Sequence, residues 1–206
     1  MTWWKRLLWV GCLCLALLLY VLPMLVQYVV KIYEFPRLWT ILLVIFLIFI
    51  TSMVFIILAK KSGILSQSGK AFQKGDGKRI ILGFLGMILV SFLGTFLLNL
   101  IHGEETTVNQ ASIIEEFQRG DMILLPITLG ILAPIAEEII FRGIIPLKIF
   151  KGYEGWGYIM GGLIFTLFHG PTNIMSFVIY GGSSVILTWL IAVSYTHLRA
   201  HETVLD

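Results

Sequence analysis

Charged residues are scarce in this sequence, and long stretches of it contain none. Asp, Glu, Lys and Arg make up 13% of the chain and hydrophobic residues 58%, whereas a soluble domain averages roughly 25% charged residues. Cysteine is also rare, with only Cys12 and Cys14. Their side chains point about 200° apart on a helix, which excludes a disulfide between them. We therefore expect an integral membrane protein in which the two cysteines act as small apolar side chains.

Apolar runs of membrane-spanning length dominate the rest of the sequence. A spanning helix needs about 20 mostly apolar residues. Six runs approach or reach that length, at residues 7–30, 38–59, 80–101, 122–147, 155–169 and 173–192. The segment 107–119 reads instead as a short surface helix, and its apolar stripe of Ile113, Ile114 and Phe117 is expected to rest on the bilayer or on the bundle. The predicted fold class is all-α, a polytopic transmembrane helix bundle with about six spanning helices present in the chain.

The charges between these runs predict an orientation. Lys and Arg dominate the N-terminus and the loop 60–79, and Lys148 and Lys151 follow the fourth run, whereas the loop 102–121 is mainly acidic. Basic loops accumulate on the cytoplasmic side of a membrane. We expect a multi-pass protein of the plasma membrane with a cytoplasmic N-terminus. The net charge of +3 is small, and the basic loop is interpreted as a contact with anionic headgroups rather than with nucleic acid.

The final residues differ in character from the rest of the chain. Residues 193–203 read VSYTHLRAHET and have no continuous apolar face. This string resembles the translation of a transposase sequencing adapter, so residues 193–206 are interpreted as non-native. His197 and His201 lie four residues apart, a spacing that could hold a metal ion on a helix. Both are excluded from the candidate site because they fall in this segment.

Three ionisable residues interrupt the fourth apolar run. Such residues are costly within a membrane span and indicate a functional site. Glu138 and Arg142 have i, i+4 spacing and can pair on one face, with the acid in the favourable N-terminal position. Glu137 is rotated by about 100° from Glu138 and therefore faces a different neighbour. Pro134, just upstream, is expected to loosen the helix and admit water or substrate.

A second polar element follows in the next apolar run, where Phe165 precedes His169 by four residues. A histidine at a helix end is often structural. Beside a helix that carries two glutamates and an arginine, however, it becomes a candidate for catalysis. A glutamate and a histidine together can activate a water molecule for hydrolysis or bind a metal ion that does so.

These two motifs, EExxxR and then FxxxH on the next helix, resemble the signature of the CAAX protease and bacteriocin-processing (CPBP) family of intramembrane proteases. The resemblance covers residues 121–192, interpreted as a partial protease core, and residues 1–120 are N-terminal transmembrane helices and loops. It implies that Glu137 activates water, with Glu138 and Arg142 as a supporting ion pair. It also implies that His169 holds the water or stabilises the oxyanion, with Phe165 supporting the pocket. No metal or other cofactor is expected, a zinc-dependent mechanism being the alternative.

The resemblance further implies a substrate and two competing interpretations. The expected partner is a membrane-associated peptide or protein, prenylated in the eukaryotic members. A non-catalytic membrane immunity or scaffold protein of the same fold is the main alternative. A transporter with an ion site at the charged cluster is a weaker alternative, because such proteins normally contain inverted repeats and the sequence shows no repeat.

The family has a third motif, a histidine followed four residues later by asparagine, which would lie beyond Ala192 on at least one further helix. We expect the parental gene to continue past the codon for Ala192 into an apolar helix with this motif. The chain as written is then expected to be inactive. Sequencing the gene tests this, and a genomic reading frame that encodes residues 193–206 and then stops would contradict it and favour the non-catalytic interpretation.

Overall fold

The computed structural model describes residues 2–65, 75–118 and 122–202, with side chains described as far as Ile191. Within these ranges the chain is almost entirely helical and contains no strand. This finding confirms the predicted all-α fold class. The adapter-like segment has no described side chains, so its interpretation stays a prediction.

Seven helices follow one another along the described chain. They are α1 (Trp3–Ile32), α2 (Arg37–Lys61), α3 (Asp76–His102), α4 (Val108–Gln118), α5 (Leu124–Ile149), α6 (Glu154–Phe168) and α7 (Ile174–Glu202). Five of them are long and apolar enough to span a membrane, namely α1, α2, α3, α5 and the Ile174–Ile191 part of α7. The protein is therefore a multi-pass membrane protein.

Among the residues that the structure describes, five helices reach spanning length, where the sequence predicts about six. The difference is α6, which has 15 residues. At about 1.5 Å per residue, such a helix is roughly 22 Å long and falls short of a hydrocarbon core of about 30 Å. Its apolar run is continuous, but a turn at Gly152, where φ is +93°, and the end at His169 limit its length.

The predicted surface helix at residues 107–119 is present as α4, over Val108–Gln118. None of its side chains is buried. The expected stripe of Ile113, Ile114 and Phe117 is not buried within the bundle, and Ile114 and Phe117 are exposed. Contact of the stripe with lipid stays a prediction.

The helices form two packing units, one of Met1–Ile64 with Ile114–Gly157 and one of Leu65–Ile113 with Tyr158–Asp206. In the first unit, α1 and α2 both pack against α5. In α5, 44% of the most apolar window is buried, compared with 28% in α2 and 17% in α1. The helix that carries the two glutamates is therefore the central helix of its unit.

The basic segments of the first unit lie at one end of it. The Arg6 guanidinium donates to the Lys151 carbonyl at 3.0 Å. The Lys148 ammonium donates to the Ser62 carbonyl and lies 5.8 Å from the centroid of the Trp9 ring. These contacts bring together the N-terminus, the end of α2 and the end of α5, which the charge pattern assigns to the same side of the membrane.

In the second unit, α3 and α7 pack along a line of glycines. A Cβ atom on Gly94 would clash with Ile179 Cγ1, and one on Gly83 would lie 2.6 Å from Leu190 Cδ1. On α7, a Cβ atom on Gly182 would lie 2.7 Å from Val90 Cγ1. The order of these contacts makes the two helices antiparallel. Small residues allow such close approach, which stabilises helix pairs in lipid through van der Waals packing.

The contact of Gly157 with the end of α5 leads to a stability prediction. A Cβ atom at Gly157 would lie 2.5 Å from Pro146 Cα and 2.8 Å from Phe150 Cβ. Pro146 Cα is a backbone atom and Phe150 Cβ is bonded directly to the backbone, so relief of either clash requires the backbone of α5 to shift. We expect Gly157→Ala to destabilise the protein by about 1–3 kcal/mol, the usual range for overpacking.

Gly155→Ala, in the first turn of the same helix, is the matched control because a Cβ atom there meets nothing within 4 Å. Both changes replace glycine by the better helix former, so the difference between the two variants isolates the contact. Thermal unfolding in a mild detergent measures the effect. Equal melting temperatures for the two variants would contradict the packing described here.

Candidate active site

The candidate site begins with the unusual backbone of α5. Two α-helical segments, Leu124–Ile127 and Ala133–Glu137, alternate with wider π-helical segments at Thr128–Leu132 and Glu138–Ile149. Proline at positions 134 and 146 removes an N–H donor from the helix at each point. π-Helical turns are rare and frequently mark functional sites. The two glutamates fall at the junction where the α-helix changes into the longer π-helix.

Glu138 and Arg142 form the ion pair that their spacing predicts. Arg142 Nη1 lies 3.8 Å from Glu138 Oε2. The Arg142 side chain is only 4% exposed, whereas that of Glu138 is 49% exposed. The guanidinium is thus held inside the unit, and the carboxylate lies at its boundary. The ion pair spans the turn of α5 that follows Glu137 and places a positive charge beside the Glu138 carboxylate.

Glu137 faces a different neighbour, as its rotation from Glu138 predicts. Its Oε1 accepts a hydrogen bond from the Tyr20 hydroxyl at 2.9 Å. Tyr20 lies on α1 and is 5% exposed, and Glu137 itself is partly buried. The two adjacent glutamates therefore occupy distinct surroundings, one beside a guanidinium and one beside a phenol.

Tyr20 was not among the residues predicted from the sequence. The sequence offers a weak signal for it, since it is the one hydroxyl-bearing residue between Cys12 and Pro23 in an apolar helix, and a buried tyrosine hydroxyl usually has a partner. The identity of that partner, 117 positions away, cannot be read from helical periodicity because it depends on how α1 packs against α5.

The second motif lies in the other unit, at the end of α6. His169 Nδ1 is hydrogen-bonded to the Phe165 carbonyl at 2.8 Å. Since a carbonyl oxygen only accepts, Nδ1 carries the proton, and Nε2 of the neutral ring is the acceptor. The helix ends at Phe168, and the positive φ of +60° at Gly170 turns the chain directly after His169. The motif spacing thus sets both the position and the tautomer of the imidazole.

Two aromatic rings flank the imidazole of His169. The Phe165 ring lies 4.3 Å from it between centroids, and the Tyr180 ring of α7 lies 4.9 Å from it. The Tyr180 hydroxyl is in turn hydrogen-bonded to the buried Thr107 hydroxyl at 2.5 Å. Phe165 thus contacts the histidine as the motif implies. Tyr180 and Thr107 are additional supports that the sequence did not indicate as such.

The start of the acidic loop is attached to the same region. Asn173 donates from its side-chain amide to Glu104 Oε2 at 3.1 Å. The Asn173 side chain also accepts from the backbone N–H of Ser176 and so caps the first turn of α7. These bonds join the beginning of the acidic loop to the beginning of α7, close in sequence to His169.

The structure therefore brings together the members of each motif. Glu137, Glu138 and Arg142 lie in the first unit, and Phe165 and His169 lie in the second. Among the described residues, no group of three or more His, Cys, Asp or Glu side chains is arranged to hold a metal ion. The assigned roles of the five residues stay predictions, whereas the local contacts that those roles require within each motif are present.

Comparisons with known proteins bear on the same segment. Residues 119–199 match the family model described as type II CAAX prenyl endopeptidase Rce1-like. The chain is also 35% identical over 114 residues to UPF0177 protein YvdC of Lactococcus lactis subsp. lactis (strain IL1403), a region that covers 55% of this chain and 43% of that protein. The chain thus spans less than half the length of this relative. No solved structure matches the chain.

Proposed function

We propose that the parent protein is an intramembrane endopeptidase, since residues 119–199 match the model of the type II CAAX prenyl endopeptidase Rce1-like family. In this proposal it hydrolyses peptide bonds of membrane-associated substrates with a water molecule activated by Glu137. All five site residues predicted from the sequence fall within the matched segment. Family membership supports protease chemistry in general, and the residue roles given below are our proposal.

The observation that carries the proposal is the difference between the two adjacent glutamates. Glu138 pairs with the buried Arg142 at 3.8 Å and is thereby suited to a supporting role. Glu137 is partly exposed and accepts one neutral hydrogen bond from Tyr20. Titratable groups that lie side by side in different surroundings commonly have different roles in catalysis. Glu137 is accordingly the proposed general base.

The reaction follows from the chemistry of a carboxylate. Glu137 removes a proton from a water molecule while the water oxygen bonds to the scissile carbonyl carbon, which produces a tetrahedral oxyanion. The C–N bond then breaks, and the proton held by Glu137 passes to the leaving amine. The products are a carboxylic acid and an amine, and the glutamate returns to its ionised form without any covalent intermediate.

His169 is proposed to bind the water or to stabilise the oxyanion. With Nδ1 bonded to the Phe165 carbonyl, the neutral ring presents Nε2 as an acceptor for a water hydrogen, and the protonated ring presents it as a donor to an oxyanion. The flanking rings of Phe165 and Tyr180 limit rotation of the imidazole. This restriction supports a precise role, because small displacements of catalytic groups are costly for the rate.

We propose that the reaction needs no metal or other cofactor. The alternative is a zinc-dependent hydrolysis in which Glu137 and His169 take part in binding the ion. The two mechanisms differ in their response to a strong chelator. Activity that survives the chelator supports the glutamate mechanism, and activity that is lost and then restored by zinc supports the alternative.

The substrate is proposed to be a membrane-associated peptide or protein. Prenylated CAAX-type segments are the first class to examine because of the family to which the matched segment belongs, although the relative identified above is bacterial. The basic end of the first unit, which includes Arg6, Lys148 and Lys151, is proposed to face the cytoplasm at the plasma membrane. Its position follows the charge rule for membrane proteins.

The test uses the full-length protein encoded by the gene, reconstituted in lipid vesicles with prenylated and unprenylated membrane peptides. Cleavage is followed by mass spectrometry. We expect Glu137→Gln to lower the rate by about 10²–10⁴-fold, the usual contribution of a general base. Glu116→Gln is the matched control, because Glu116 is exposed on α4 and the substitution makes the same change in charge.

The outcomes distinguish the proposed enzyme from the alternatives. If both variants cleave at the wild-type rate, Glu137 is not the base and the mechanism is wrong. If the wild-type protein cleaves no peptide and Glu137→Gln retains a protective effect against a bacteriocin in cells, the protein is a non-catalytic immunity or scaffold protein.

A further inference from the structure

We propose that Tyr20 is a positioning residue that orients the Glu137 carboxylate, an inference that rests on the proposed function. Tyr20 lies on α1, far in sequence from both motifs and outside the segment that matches the family model. Its hydroxyl donates to Glu137 Oε1 at 2.9 Å. This contact gives the N-terminal helix a specific part in the candidate site.

The hydrogen bond from Tyr20 involves only one of the two oxygens of the Glu137 carboxylate. A phenol donates a single hydrogen, and a carboxylate accepts through both oxygens. Within the described residues, no other hydrogen bond to the Glu137 carboxylate is observed. With Oε1 directed at Tyr20, Oε2 is the oxygen available to a water molecule. The phenol therefore determines which oxygen acts as the base and in which direction it points.

The surroundings of Tyr20 make it a rigid donor. Its side chain is 5% exposed, and it belongs to the buried face of α1 together with Ala16 and Pro23. Through Tyr20 this face meets α5, and α1 contacts α5 over both of its segments Ala133–Glu137 and Glu138–Ile149. Of these three buried residues, Tyr20 is the one with a polar side-chain atom. A donor fixed by packing holds its acceptor in one rotamer, as a preorganised site requires.

The competing explanation is that the hydrogen bond is purely structural. Glu137 would then serve only as the acceptor that the buried Tyr20 hydroxyl needs. The two explanations differ in their kinetic consequences. If the hydrogen bond serves packing alone, its removal lowers stability and leaves turnover intact in the folded protein. If it orients the base, its removal lowers the turnover number of the folded protein, while the affinity for the substrate is unchanged because Tyr20 is not proposed to touch the substrate.

The experiment compares Tyr20→Phe with Tyr28→Phe in the full-length protein in lipid vesicles, using the same peptide assay. Tyr28 lies two turns further along α1 and is 66% exposed, so it controls for the loss of a hydroxyl from this helix. We expect Tyr20→Phe to lower kcat by about 10-fold or more with KM unchanged, since a small misplacement of a catalytic group can cost about 10²-fold. We expect Tyr28→Phe to retain the wild-type values.

Inclusion of Glu137→Gln in the same assay distinguishes failure of the positioning role of Tyr20 from failure of the proposed function. If Glu137→Gln abolishes cleavage but Tyr20→Phe keeps the wild-type kcat, the positioning role is overturned and the proposed function stands. If Glu137→Gln cleaves normally, the proposed function fails and the positioning role fails with it. If Tyr20→Phe raises KM without lowering kcat, Tyr20 acts in substrate binding, and the positioning role is again overturned.

A second pair of variants covers the case in which Tyr20→Phe does not fold. Replacement of Tyr20 by 4-aminophenylalanine keeps the ring and an N–H donor at the same position. Replacement by 4-methylphenylalanine has nearly the same shape and cannot donate. We expect the amino variant to retain most of the wild-type kcat and the methyl variant to lose at least 10-fold relative to it. Equal kcat values for the two variants would overturn the proposal.

Discussion

The ionisable residues of α5 lie in a helix of membrane-spanning length, and this constraint governs the structure around them. A charged group at the centre of a bilayer costs about 2.5–3.5 kcal/mol even on permissive insertion scales, so the protein must supply its partners. Arg142 is buried and pairs with Glu138 on α5 itself, whereas Glu137 accepts a hydrogen bond from α1. The second contact requires α1 to pack against α5, because an α5 helix surrounded by lipid could not provide it.

The N-terminal helix supplies one of these partners, although its sequence is typical of a helix that only contacts lipid. α1 is apolar over nearly its whole length, and its surface is largely exposed, as expected for a helix in contact with lipid. Its buried face nevertheless includes the phenol that meets Glu137. A similar arrangement occurs in the second unit, where the Tyr180 ring contacts His169 and its hydroxyl meets Thr107. In both units a tyrosine from outside the motif contacts the candidate catalytic residue.

Much of the fold was predictable from the sequence, because lipid allows few alternatives to the helix. The apolar runs predict α1, α2, α3 and α5 to within a few residues, and the Glu138–Arg142 pair follows from helical spacing alone. The apolar run of α6 predicts its bounds to within one residue, but the run was counted among the spanning helices although 15 residues are too few to cross the hydrocarbon core. The π-helical segments and the Tyr20–Glu137 bond were not predictable. Both depend on how helices pack against one another, and periodicity within one helix does not contain that information.

The proposed mechanism depends most on Glu137 acting as the general base, and an experimental structure of the full-length protein in lipid tests this most directly. At a resolution that shows ordered water, the mechanism predicts a water molecule within about 2.6–3.2 Å of the Glu137 carboxylate. That water should contact the carboxylate oxygen that does not accept from Tyr20. A Glu137 carboxylate with no ordered water at that oxygen, or with a metal ion bound there, would contradict the mechanism.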